Sequence, residues 1–146
     1  MARKKQFIIW LLILAVIGGG SIPCLGWWNS YWNNKFSVVC KQAIEAKEWR
    51  LLREYATQWT DWDPNANSGW LYRAEAAKQM EQLEEMAELL GRVTDDYDGA
   101  IEALSMQADL LFTELNRPLD AIKTWQRMLQ INPRASRPYQ RMIFYY

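Results

Sequence analysis

Few side chains in this sequence have the type and spacing that chemistry requires. It contains no histidine, which removes the commonest general base and the commonest metal ligand together. The run Asp95-Asp96-Tyr97-Asp98-Gly99 hints at a calcium loop, yet the acidic residue that should close the loop falls at Ser105. An aspartate capping the start of the next helix accounts for the run better. Glu81, Glu84, Glu85 and Glu88 recur at helical surface spacing, and acid–base work needs paired carboxylates in a pocket. Gly18, Gly19 and Gly20 lie in an apolar run and make no phosphate loop. Cys24 ends that apolar run, and Cys40 occupies a small-residue slot where free cysteine behaves as a small hydrophobe. No structural disulfide between the two is expected. The expectation is a non-catalytic chain with no cofactor and no metal.

What remains is binding, and binding needs elements that hold a surface. The stretch from Asn116 to Pro133 reads as one short helix with both ends marked. Pro118 suits a first helical position, where its missing N–H costs nothing. Asn132 and Pro133 end it, because proline cannot continue a helix. Ala121, Ile122, Trp125, Met128 and Leu129 fall on one face. Such a face cannot be buried by one helix alone.

The rest of the chain supplies neighbours of the same kind. Phe36, Trp70, Leu104 and Tyr139 recur at intervals of 34, 34 and 35 residues. Cys40, Ala74, Ala108 and Ile143 follow four places later, and Ala43, Ala77, Leu111 and Tyr146 three places after that. Second-helix columns run Leu52, Met86, Ala121 and Ala56, Leu90, Trp125. Small residues in the second column let two backbones approach closely. This spacing resembles the tetratricopeptide repeat family, with Trp70, Ala74, Ala121, Trp125 and Pro133 the best matches. The resemblance covers roughly residues 32–146. The family's glycine between the two helices is replaced by Lys47 and by Glu81, and Gly91 falls inside a second helix, at about 1 kcal/mol relative to alanine. The fold expected is all-α: a right-handed solenoid of helix–turn–helix repeats after an N-terminal apolar helix. First helices are expected at 29–46, from Asn67 and near Gly99, with a last one opening at Ser136. The first partner helix is expected at 47–60, followed by a turn at 61–68.

Charge is zero overall but uneven. Residues 1–60 hold eight Lys/Arg and three Asp/Glu (+5), residues 61–116 three and thirteen (−10), and residues 117–146 six and one (+5). Solvated helix faces account for most of this, and a central acidic belt argues against binding nucleic acid. Arg3, Lys4 and Lys5 precede an apolar run at 7–17, and no charge appears at 6–34. Residues 7–28 would span roughly 33 Å as a helix at about 1.5 Å each, enough for a membrane anchor. Trp27, Trp28, Tyr31 and Trp32 then suit an interfacial belt. The expectation is an anchor at 1–28 and a repeat domain at 29–146. The basic start keeps the N-terminus cytoplasmic and the repeats outside the cytoplasm, in the periplasm if the source is bacterial. A cleaved signal segment and a secreted or periplasmic soluble domain is the alternative.

In the resembled family the first helices line a groove that holds a protein or peptide partner. Carried over by position, the groove candidates are Lys41, Tyr72, Glu75, Lys78, Asp109, Phe112, Arg137 and Arg141. Tyr72 and Phe112 are expected to be more exposed than Trp70 and Leu104. The chain closes with Arg141-Met142-Ile143-Phe144-Tyr145-Tyr146, too apolar to face inward on one helix. Phe144, Tyr145 and Tyr146 are therefore candidates for an interface with a partner, a second copy or further repeats. A structural subunit bracing a membrane complex is a further reading.

Overall fold

The computed structural model describes the backbone of residues 21–145 and the side chains of residues 26–143. Among the described residues there are seven helices and no strand. They are α1 (Ser21–Glu45), α2 (Trp49–Trp62), α3 (Asn67–Gln79), α4 (Leu83–Gly91), α5 (Ala100–Thr113), α6 (Pro118–Ile131) and α7 (Ser136–Tyr145). The chain divides into two units, residues 1–35 and 36–146, with α1 running through the boundary. That helix already includes residues 21–28, ahead of the expected start at residue 29.

The described part of the first unit is an aromatic ladder on α1. Trp27 stacks on Tyr31 with centroids 5.9 Å apart, Trp28 meets Trp32 edge-on at 5.8 Å, and the Lys35 ammonium lies 4.6 Å over Trp32. These are neighbours three or four places along a helix face.

In the second unit each helix from α2 onward packs on the next in sequence. The small-residue column lies at the centre of this packing. Cys40 and Ala108 are fully buried and Ala74 nearly so, with Ala43, Ala77 and Leu111 beside them. Against them are set Leu52, Ala56, Met86, Leu90, Ala121 and Trp125, every one buried. Gly69 shows how tight the approach is. A Cβ there would lie 2.8 Å from the Thr60 methyl and 3.4 Å from the Trp59 ring.

The turns explain the helix limits. Lys47, Glu81 and Asn116 have φ of 57°, 58° and 51°, the left-handed conformation that ends a helix. The first two form the same motif: Glu48 N–H bonds Ala43 O at 2.9 Å and Lys47 N–H bonds Ile44 O at 2.9 Å, as Gln82 bonds Ala77 at 2.8 Å and Glu81 bonds Lys78 at 3.0 Å. Hence α2 starts at Trp49, two residues later than expected. The third turn is one residue longer, and its closing bond runs from Arg117 N–H to Leu111 O at 2.7 Å. The turns at Asp63 and Asn132 are also alike. Both residues are extended (φ −133°, ψ 92° and φ −137°, ψ 94°), as a residue before proline must be. Their side chains accept from Asn65 N–H and Arg134 N–H, each at 3.1 Å. The expected turn at 61–68 thus narrows to 63–66.

The connection at 92–99 departs from the pattern. Gly91 is the last residue of α4, not an interior one. Beyond it the chain is held from two sides. Asn67 exchanges two hydrogen bonds of 2.9 Å with Thr94. Arg127 donates to Gly91 O at 2.9 Å, Val93 O at 2.6 Å and the Asp95 carboxylate at 2.7 Å. No aspartate of 95–98 caps α5, as the sequence had led one to expect: its N-cap is Gly99, without a side-chain bond. Asp95 is drawn instead to the buried-side guanidinium.

Two outcomes test this packing. Lys47→Gly and Glu81→Gly should each raise stability by about 1 kcal/mol in denaturant unfolding, since they relieve a left-handed non-glycine residue. Trp125→Ala should cost about 3–5 kcal/mol, because its ring is 2% exposed and lies 5.6 Å from Phe112.

Candidate functional site

The eight expected groove residues lie on α1, α3, α5 and α7. Tyr72, Glu75, Asp109 and Phe112 are half-buried, while Lys41, Lys78, Arg137 and Arg141 are exposed. Several are brought together. Arg141 reaches the Asp109 carboxylate at 3.3 Å, and Arg137 donates to Ser105 Oγ at 3.5 Å, so α7 is tied to α5 by side chains 32 residues apart. Glu75 pairs with Lys78 at 3.6 Å on its own helix. No ion pair joins Lys41 to the others among the described residues.

The other side of the second unit is tied in the same way. Arg53 on α2 grips Glu85 with both oxygens at 2.9 Å and Gln82 at 3.0 Å. Arg117 meets Glu84 at 2.8 Å and Asp120 at 2.8 Å. These carboxylates and cations lie on the surface, where such pairs contribute about 0–1 kcal/mol. They register the helices more than they stabilise them.

The exposure expected of the two aromatics holds for one pair. Phe112 is half-buried where Leu104 is fully buried. Tyr72 and Trp70 are both half-buried, because each ring is held down. Tyr72 stacks on Trp59 at 6.0 Å, and the Trp70 indole N–H donates to Pro64 O at 2.9 Å. Burial pushes the Tyr72 hydroxyl above its ordinary range, partly offset by a hydrogen bond with Ser37.

A shallow cavity of about 320 Å³ opens beside Tyr72, lined by Ile44, Ser68, Leu71, Tyr72, Glu75 and Tyr97. Only Tyr72 and Glu75 of these were legible as site residues. Tyr97 was read as part of an acidic turn, although an aromatic among three aspartates is itself a signal.

At the last helix the columns fail. Tyr139 is 47% and Ile143 74% exposed. The candidates Phe144 and Tyr145 end α7 with side chains outside the described set, and Tyr146 lies beyond it. The apolar run at 7–17 likewise falls outside the described residues. Within them, no helix is long and apolar enough to cross a membrane. No model of a known protein family matches this chain, and no curated protein matches it.

Cys40, in the cluster beneath Tyr72, is a free buried thiol. Burial pushes it up to about 11 from an ordinary 9.0. The folded chain therefore keeps a proton that the unfolded chain loses. Stability from this group is complete below about pH 9 and is lost as pH rises toward about 11. Urea unfolding across that range should show a steeper alkaline loss in the natural chain than in Cys40→Ala.

Proposed function

We propose that this chain is a non-catalytic scaffold of the tetratricopeptide type. In this reading residues 1–28 anchor it in a membrane, and its first helices form a groove for a protein or peptide partner. The observation that carries the reading is the repetition of side-chain ties at intervals of 32 or 33 residues. Arg53 to Glu85 and Arg137 to Ser105 span 32 residues, and Arg117 to Glu84 spans 33. The first and third link second helices or their approaches, and the second links first helices. Ties of like helix to like helix at a nearly constant interval support a stack of hairpins in which each repeat contacts its neighbours. The left-handed residues at 47, 81 and 116 recur at 34 and 35 residues, close to the spacing of the ties and equal to that of the sequence columns.

Half-buried aromatics among charged residues on the first helices support a binding face, since aromatic anchors dominate interface energetics. The basic N-terminus supports repeats on the far side of the membrane from the cytoplasm.

A second reading, a brace within a membrane complex, is favoured by one observation. Glu75, Asp109, Arg137 and Arg141 already satisfy one another or near neighbours. Photo-crosslinking in membranes separates the two. A photoreactive residue at Phe112 should give partner adducts, and one at Leu119, which is 67% exposed on α6, should not. Adducts from Leu119 alone would replace the groove with the brace. The mass of the mature chain tests the anchor: loss of about 20–30 N-terminal residues would mean signal cleavage and a soluble domain.

A further inference from the structure

We infer that the cavity beside Tyr72 takes the side chain of an arginine or lysine from a peptide lying along the first helices. The inference rests on the reading of that face as a peptide groove, and deepens it by naming the chemistry recognised. Six residues line the cavity, and Glu75 is the one charged group among them. Ile44 and Leu71 offer an aliphatic wall for a long methylene stem. Tyr72 and Tyr97 line it with aromatic rings, whose quadrupole can attract a cation. Glu75 offers a carboxylate, which guanidinium or ammonium groups bond more strongly than a neutral donor would. An acidic side chain would meet Glu75 and, flanking Tyr97, the exposed Asp96 and Asp98. A purely apolar one would leave the carboxylate unused.

The parts are held in place. Tyr72 is fixed by its stack on Trp59. Tyr97 is fixed through its backbone, donating to Thr94 O at 3.2 Å and accepting from Ala100 N–H at 2.9 Å. Glu75, by contrast, is held loosely. Its partners are Lys78 at 3.6 Å and Gln79 at 2.8 Å, both exposed and within one turn of the same helix. Such pairs are weak, so an incoming cation can take the carboxylate without breaking a buried contact. At about 30 Å³ per water, the 320 Å³ cavity has space for on the order of ten waters. One long side chain and its adjoining backbone fit within that space.

The test uses the full chain and four blocked pentapeptides, alanine on both sides of a central Arg, Lys, citrulline or Glu. Tyrosine ring signals are followed by NMR during titration. The Arg and Lys peptides should shift Tyr72 and Tyr97 saturably, and more weakly as salt is raised. Citrulline keeps the shape of arginine without the charge and should bind about fivefold more weakly, the scale of one exposed charge pair. Glu75→Gln should melt like the natural chain and bind the Arg peptide at the citrulline level. Tyr97→Leu should weaken the Arg peptide while leaving Tyr72 stacked on Trp59. Equal binding of Arg and citrulline would overturn the inference, as would an Arg titration that leaves both rings unmoved. If the Phe112 crosslinker captures a partner while the Arg peptide moves neither ring, the groove stands and the cation pocket falls. If the Arg peptide titrates Tyr72 while no first-helix crosslink forms, the pocket stands and the scaffold reading falls.

Discussion

The structure depends on one packing constraint: in each of the first three first helices, a small residue stands four places after a large one. Cys40, Ala74 and Ala108 leave room for another helix to come close, and the second helix fills that room with Ala56, Leu90 or Trp125. Close packing at this density tolerates little change in volume. The hairpins are therefore set by shape as well as by hydrophobicity. Gly69 makes the same point between hairpins, where even a methyl group would collide with Thr60.

Around that constraint the turns do the positioning. A left-handed residue costs about 1–2 kcal/mol when it is not glycine. The chain nevertheless places lysine, glutamate and asparagine there. The burial of the two helices on either side over-determines the turn, so the local cost is carried by tertiary packing. The 92–99 connection is solved differently. Its backbone carbonyls are not covered by a helical ladder, and Arg127 and Asn67 bond to the segment instead. That segment brings Tyr97 beside Tyr72, so the irregular connection creates the cavity.

The face of the first helices is a surface of short-range compromises. Its charges pair locally, its rings are half-covered, and one carboxylate stands among apolar and aromatic neighbours with only flexible partners. A face of this kind is inexpensive to open to a ligand, because nothing deeply buried has to be released. The cluster beneath it, from Cys40 to Trp59, is buried, and that burial raises the Cys40 thiol pKa to about 11.

Much of the fold was legible in the sequence because it follows from local rules. Helical spacing of apolar residues, proline at Pro118 and Pro133, and columns at intervals of 34 and 35 residues each have a direct physical meaning. Those rules located all six helices of the second unit that start after residue 45, and the columns through Cys40, Ala74 and Ala108 and through Ala43, Ala77 and Leu111 that are buried in the first three repeats. The resemblance put Lys47 and Glu81 where the family has glycine, but nothing in a lysine or a glutamate itself marks the positive φ that both adopt. Nor did those rules show that α4 stops at Gly91, since the capping groups come from Arg127, 36 residues away. The site divides in the same way. Tyr72 and Glu75 could be named by the resemblance to the repeat family, from their place in the repeat. Ile44, Ser68 and Tyr97 could not, because they reach the same cavity from different elements. Periodicity is a property of one chain segment, while a cavity is a property of several, and only tertiary packing decides which segments share it.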